Sequence, residues 1–564
     1  MPEARSWVIA VAIIVGIIVG IGVGYAIAPK GAPGATKTVT TTVTTTVTTT
    51  VSTGGTVTKT VTVTAPGAAT TVTMTKTVSV PGPSSAIGSY IGLGVLEPYP
   101  SSELITIKVD NVTFVFPKFV ADEIVKAVVE DAKGAKQISF VVWASGSPVD
   151  TTRVTNVELA AKVLTALLHK YGVDITITVD TQRSQFFRGN YWSKLEQAFA
   201  AGQAPDIFAM KDLAKVAEAG YAIPLDKYIE KFWPLVADTY RVLWRAVTYK
   251  GHVWALPEDT EARPLYFRKD VLRELGWSEQ KINELPKLIE EGKVTLLDLV
   301  KVAQEAMKKG LVKWGFYHRP NFGGTPFIIL YYQFGGILQD PQTGKLVLVK
   351  HAMLKTLQFL YNMTQVWKVL PTTMIGTPWR QIHVDFVNGR VLFWFGGTWH
   401  WAEWQRVPYH EKLGKVPESW EWKNIGFALV PAPLSGLKPL TLSSPYLYYV
   451  SSQCKHPEIA FLLIALATSA PLDAKHAVES GHLPVRITTQ FDPYYQQAKF
   501  LKDVTYMLQY TSFEPIHPKW DVYKAIWIKA VAAVERGEKT PQQALNDMVN
   551  ELKAELGDQI EIKP

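Results

Sequence analysis

The run WVIAVAIIVGIIVGIGVGYAIA, Trp7 to Ala28, carries no charge and matches the roughly 20 apolar residues a helix needs to cross a bilayer. It constrains everything after it, because a chain that starts with such a segment either hangs from a membrane or passes through one. No small-residue cleavage site of the ordinary secretory kind closes the run, so it reads as a retained anchor over residues 7–28 rather than a removed peptide. Ala12, Gly16, Gly20, Gly24 and Ala28 recur at every fourth position. Such a stripe lets two helices approach closely, although glycine is common in membrane helices in any case.

Residues 1–6 form a short basic leader whose Arg5-Ser6 is similar to archaeal prepilin-type signals, a reading that also keeps the helix. After the anchor comes a stalk, residues 29–85, dominated by a threonine and valine tract from Thr36 to Val78. It lacks the large apolar side chains of a core, and β-branched residues with Gly and Pro disfavour a helix. A disordered, extended chain is expected there, reaching on the order of 150 Å when drawn out. Segments of this composition read as O-glycosylated stalks; a bare linker, or self-association through Val39, Val43, Val47 and Val51 on one strand face, are the other readings. The body then lies on the extracellular face, where Asn111-Val-Thr113 and Asn362-Met-Thr364 are possible N-glycosylation sites.

With 564 residues the chain is too long for one core. Its net charge of +8 alternates in sign along the helical stretches, which reads as a solvated surface and excludes a nucleic-acid footprint. A single cysteine, Cys454, excludes a disulfide framework and Cys-rich zinc sites.

In the body, ITIKV-DN-VTFVF predicts a hairpin from Ile105 and a helix over 119–132, together an extension spanning 86–133. After Gly134 strands and helices alternate: QISFVVWAS, a helix over 156–171, VDITITVD, a helix over 191–201. This is the pattern of an α/β domain with a largely parallel sheet. No G-x-x-x-x-G-K-[ST], H-E-x-x-H or G-x-S-x-G occurs, so nucleotide cradling, zinc hydrolysis and the serine elbow lack their signatures and no catalytic or metal residue is assigned. Glu258, Asp259 and Glu261 offer a glycosidase pair only on paper, since such a pair needs a set separation.

KLEQAFAAGQAPDIFAMKDLAKVAEAGYAIPLDKYI, from Lys194 to Ile229, resembles the extracellular solute-binding proteins of ABC importers, the group that includes maltodextrin-binding protein. KGHVWALPEDTEARPLYFRKDVLRELGW, DFVNGRVLFWFGGTWHW, CKHPEIAFLLIALATS and ERGEKTPQQALNDMVNEL extend the resemblance in the same order over about Gln137 to Leu552. Trp394-Phe395 stands where the family usually has a methionine, and the hairpin near residue 105 has no counterpart. The resemblance implies a two-lobe, type II periplasmic-binding fold with hinge strands: lobe 1 from 134–259 and 426–467, lobe 2 from 260–425 and 468–564. It also implies a cleft that closes on its ligand.

By the same resemblance the ligand is a sugar, an oligosaccharide given the aromatic supply, handed to permease subunits served by a separate ATPase, with no cofactor and no bond broken. Peptide binding, a ligand-free structural protein and, last, glycoside hydrolysis are the alternatives. Trp399 and Trp401 in GGTWHW are the implied stacking platforms, with Gly396 and Gly397 letting the ligand approach and Trp404 in the core. Glu261 is the implied hydroxyl acceptor. Trp143, Ser145, Gly146 and Ser147 lie at a strand's carboxyl end, where α/β folds place ligands. Asp212, Thr325, Phe327 and Trp520 match more loosely.

Overall fold

The structure, a computed structural model, describes residues 44–51, 57–65, 68–76, 101–146, 149–187, 190–319 and 326–564. The chain divides into two compact units, residues 1–90 with 95–102 and residues 91–94 with 103–564. The leader and the expected anchor at 7–28 lie outside the described residues. Among the described residues no single helix is long and apolar enough to cross a membrane.

In the first unit the threonine and valine tract departs from the disordered stalk expected of it. Thr44–Val51, Val57–Ala65 and Ala68–Lys76 form an antiparallel sheet whose register sets Val47 opposite Val61 and Val61 opposite Val72. Dense β-branching, which disfavours a helix, also favours strand pairing.

The second unit is built on two sheets. The first runs in the order Leu256–Pro257, Leu447–Val450, Ile207–Met210, Val142–Ser145, Gln185–Phe187. Its central strand IFAM is buried at all four positions, as a strand covered on both faces must be. Helices Lys118–Ala132, Thr152–Lys170 and Pro457–Ala467 supply the core on one face. Leu195, Phe199, Phe208 and Tyr449 fill the other. The hairpin Leu104–Val109 with Val112–Pro117 and the helix after it are part of this lobe rather than an extension: Ile107, Phe114, Phe116 and Ile124 share a core with Leu164 and Leu463.

The second sheet has the order Trp314–Tyr317, Val391–Phe395, Leu265–Arg268, Ile425–Ala428. VLFWF is buried at all five positions, and helices Leu296–Lys308, Lys350–Tyr361, Trp520–Glu535 and Pro541–Leu556 complete the core. Ile560–Lys563 pairs in parallel with Leu346–Val349.

The expected lobe boundaries shift. Ile425–Ala428, assigned to lobe 1 from Gly426 onward, pairs with Leu265–Arg268 in lobe 2, and the chain returns to lobe 1 only at Leu447. Within the region expected to be all lobe 2 after 468, Leu472 packs in the lobe 1 core and Ala474 and Ala477 in the lobe 2 core. Arg486 then donates to the carbonyls of Leu235 and Thr468 in lobe 1. The chain therefore crosses between lobes at 258–263, 441–446 and 473–486. Thr260 is bridged to Leu483 and shares a 2.6 Å hydroxyl hydrogen bond with Ser443.

Candidate functional site

A cavity of about 1080 Å³ opens between the lobes. Most of its functional side chains sit just past the carboxyl ends of strands, where a parallel sheet leaves its loops splayed and its space free. On the lobe 1 side Ser145 and Gly146 end the strand Val142–Ser145, and Lys211 and Asp212 follow Ile207–Met210. On the lobe 2 side Arg319 follows Trp314–Tyr317, and Trp399 opens the helix after Val391–Phe395. The partly exposed rings that line the cavity include Trp192, Tyr332 and Tyr446.

Behind the lobe 1 wall lies a buried ion network that pins the crossings. Arg153, in the first turn of Thr152–Lys170, donates from Nε to Glu258 at 2.8 Å, from Nη2 to Asp259, and from Nη1 to the Ser145 carbonyl at 2.8 Å. Its Nη1 also lies 3.1 Å from Asp150, and the guanidinium caps the Tyr446 ring at 3.7 Å. Gly146 is required beside it, because a Cβ there would lie 2.1 Å from Arg153 Nη1. Burial raises Glu258 well above the usual carboxylate range. Burial pushes Asp259 the same way, but His482 and Arg153 outweigh it and hold Asp259 well below that range. The pair thus carries one charge against Arg153. Glu258 and Asp259 face this guanidinium, which removes them from any glycosidase arrangement across the cavity.

The lobe 2 floor is different. Arg263 and Arg319 lie against the Trp399 ring at 4.4 and 5.5 Å, and Arg319 against Trp379 at 4.6 Å. Arg263 Nη2 bonds Glu261, yet its buried Nε and Nη1 have no hydrogen-bond partner among the described residues, nor has Arg319 Nε. Burial and the nearby charge of Arg263 pull Arg319 down to about 9. Lys211 approaches Glu261 at 3.4 Å and donates to Ser444 at 3.1 Å.

His383, His400 and Glu403 cluster behind this floor with metal-like spacing. The hydrogen bonds give them another role. The indole N–H of Trp404 donates to His383 Nδ1 and the backbone N–H of Gly397 to His400 Nδ1, each at 3.0 Å. Both Nδ1 atoms therefore offer lone pairs, and both neutral rings carry their proton on Nε2. Neither Nε2 has a hydrogen-bond partner among the described residues, and an N–H is a donor, not a metal ligand.

The expected site residues divide. Ser145, Gly146, Asp212, Glu261, Trp399 and Trp520 line the cavity. Ser147 and Thr325 lie outside the described residues. Trp401 is not in the cavity: it is 3% exposed and stacks on Phe500 at 4.4 Å, alongside the expected core residue Trp404. Phe327 is fully buried in the same core. Trp143 packs edge-on against Phe187 and donates its indole N–H to Arg183. Trp399 borders the cavity but is no open platform. It is 7% exposed, stacked with His482 at 5.4 Å and covered by Arg263. The glycine pair serves the protein's own rings, since a Cβ on Gly397 would meet Trp399 at 2.2 Å and one on Gly396 would meet Tyr266 at 2.6 Å. Arg263, Arg319, Lys211 and Tyr446 were not anticipated. The strand-end rule that found Ser145 would have found Arg319, two residues beyond WGFY.

Two α/β lobes, three crossings and a polar, aromatic-rimmed cleft between them define a protein that encloses a solute. The family model described as "Bacterial extracellular solute-binding protein" matches residues 157–473, more than half of the chain. The chain belongs to that family. A maltotriose-binding protein of Pyrococcus abyssi is 24% identical over 372 residues, covering 62% of this chain and 69% of the relative. Maltose-bound MalE3 of T. maritima superposes with a TM-score of 0.57 at 19% identity, over 74% of this chain and 100% of that one. The sugar-binding protein MalE of Xanthomonas citri gives 0.58 at 20% identity, over 74% and 97%.

Proposed function

We propose that the chain captures an oligosaccharide in the interlobe cleft and presents it to the permease of an ABC importer, whose ATPase is a separate chain. The observation that carries this is the cavity of about 1080 Å³, just above the roughly 300–1,000 Å³ of small-molecule sites and roomy enough for several sugar rings. Relatives named for maltotriose, maltose and cycloalternan support the ligand class. Ser145, Gly146, Asp212, Glu261 and Trp520 contact the ligand, with Trp192, Tyr332 and Tyr446 as the flat surfaces for sugar C–H faces. No bond is broken. Residues 7–28 tether the chain, the body faces outward, and Asn111, exposed at a hairpin turn, and Asn362 are glycan acceptors.

The test is calorimetric titration of the full chain in mild detergent against mono- and oligosaccharides and short peptides, paired with small-angle scattering. Micromolar or tighter binding of an oligosaccharide with a smaller radius of gyration is expected. Binding of peptides alone, or of nothing, would reject the reading.

A further inference from the structure

The floor of the cleft holds more positive charge than its own residues balance. Arg263 is 4% exposed, and its one carboxylate partner among the described residues, Glu261, is shared with Lys211. Arg319, beside it on the same Trp399 ring, has no carboxylate within 4 Å among the described residues. Three cations thus face one carboxylate. The other acids nearby are occupied or act from a distance: Asp150 is held by Arg153, and Glu403 and Glu514 favour the charged form of Arg319 without forming an ion pair with it among the described residues. Burial pushes Glu403 up to about 7, so near neutral pH it carries only part of a charge.

Like charges placed together out of water are unfavourable unless something of opposite sign is supplied. Neutral sugar hydroxyls do not supply it. The donors also have the right character: Arg263 and Arg319 both line the cavity, their enclosed N–H groups, Arg263 Nε and Nη1 and Arg319 Nε, lack partners among the described residues, and a guanidinium fork matches a planar or tetrahedral oxyanion with two parallel hydrogen bonds.

Resting on the reading of the cleft as an oligosaccharide site, we propose that the bound oligosaccharide carries an anionic substituent, a carboxylate or a sulfate ester, seated against Arg263 and Arg319. Trp399 then acts as the shelf that holds the two guanidinium groups in place, in contact with them rather than with the sugar. Glu261 neutralises part of Arg263 and leaves Arg319 to the ligand.

The experiment titrates the full chain in mild detergent with three oligosaccharides of one backbone: neutral, carboxylated at C6 and sulfated. At least one anionic form should bind about tenfold or more tightly than the neutral one, and the form that gains identifies the substituent. The preference should shrink as salt is raised and fall to about one in Arg319→Gln, with a melting curve confirming that the variant is folded. Lys211→Gln, a half-buried position, serves as a second variant and should reduce the preference by a smaller factor. Neutral binding as tight as or tighter than both anionic forms overturns the proposal and leaves the oligosaccharide reading standing. Binding of a short acidic peptide with no saccharide bound overturns both readings, whereas a preference that survives Arg319→Gln unchanged overturns the anion site alone.

Discussion

Arg153 and Arg319 are both arginines placed against aromatic rings at the edge of one cleft, and they differ in what surrounds them. Arg153 is fully buried and uses every face: three carboxylates, a backbone carbonyl and the Tyr446 ring. Arg319 has two tryptophan rings and no ion pair within 4 Å among the described residues. A saturated guanidinium is a structural rivet. An unsaturated one at the cavity wall keeps charge and hydrogen-bonding capacity that its own neighbours do not consume.

Substitution should separate the two sharply. Arg153→Met is expected to have the largest effect, a loss of about 3–5 kcal/mol measured by chemical denaturation, because it strands acidic groups in the interior. Stability within 1 kcal/mol of the parent would show that the network is not the rivet between lobes. Next comes Trp399→Ala, which removes the shelf under Arg263 and a stacked partner of His482. A loss of about 3 kcal/mol is expected. A purely ligand-facing ring would instead leave the melting temperature in place.

A pH series on Glu403→Gln probes the floor from beneath. The Glu403 carboxyl is raised from 4.5 to about 7, chiefly by burial. Where both states are protonated, below the unfolded value, the favourable contribution of the folded acid is complete; it is lost as pH rises through about 7. Between pH 4.5 and 8 the parent should therefore lose about 3 kcal/mol relative to the variant. Parallel stability profiles would exclude this proton from the floor. The smallest stability change belongs to Arg319→Gln, within about 1 kcal/mol of the parent and of either sign, since it removes a charge that has few internal partners. A loss as large as that of Arg153→Met would erase the contrast between the two sites.

Much of the scaffold was readable from residue order. Helices expected over 119–132, 156–171 and 191–201 are found as Lys118–Ala132, Thr152–Lys170 and Tyr191–Ala200, because their apolar spacing is local information. The strand-end placement of Ser145 and Gly146 was legible for the same reason. What escaped were features set by distant chain. The face of Trp399 is decided by His482 and Arg263, neither of them near it in sequence, so GGTWHW could not reveal that its rings turn inward. Arg153 becomes a rivet only because Glu258, Asp259 and Tyr446 arrive from two separate crossings. The threonine and valine tract misled in another way, because its composition argues equally for an extended chain and for strands, and only pairing distinguishes them.

The parallel pairing of Ile560–Lys563 with Leu346–Val349 has a bearing on biogenesis. Lobe 2 cannot seal that edge, nor lobe 1 complete its sheet without Leu447–Val450, until most of the polypeptide has been made. Contacts so far apart along the chain form late and slowly. A polypeptide emerging from its amino end therefore stays unlocked through nearly all of its synthesis, with VLFWF among the segments left uncovered and prone to stick to other nascent chains. The two lobes are therefore released in turn, lobe 1 once Leu447–Val450 and Pro457–Ala467 have emerged and lobe 2 only when Ile560–Lys563 follows.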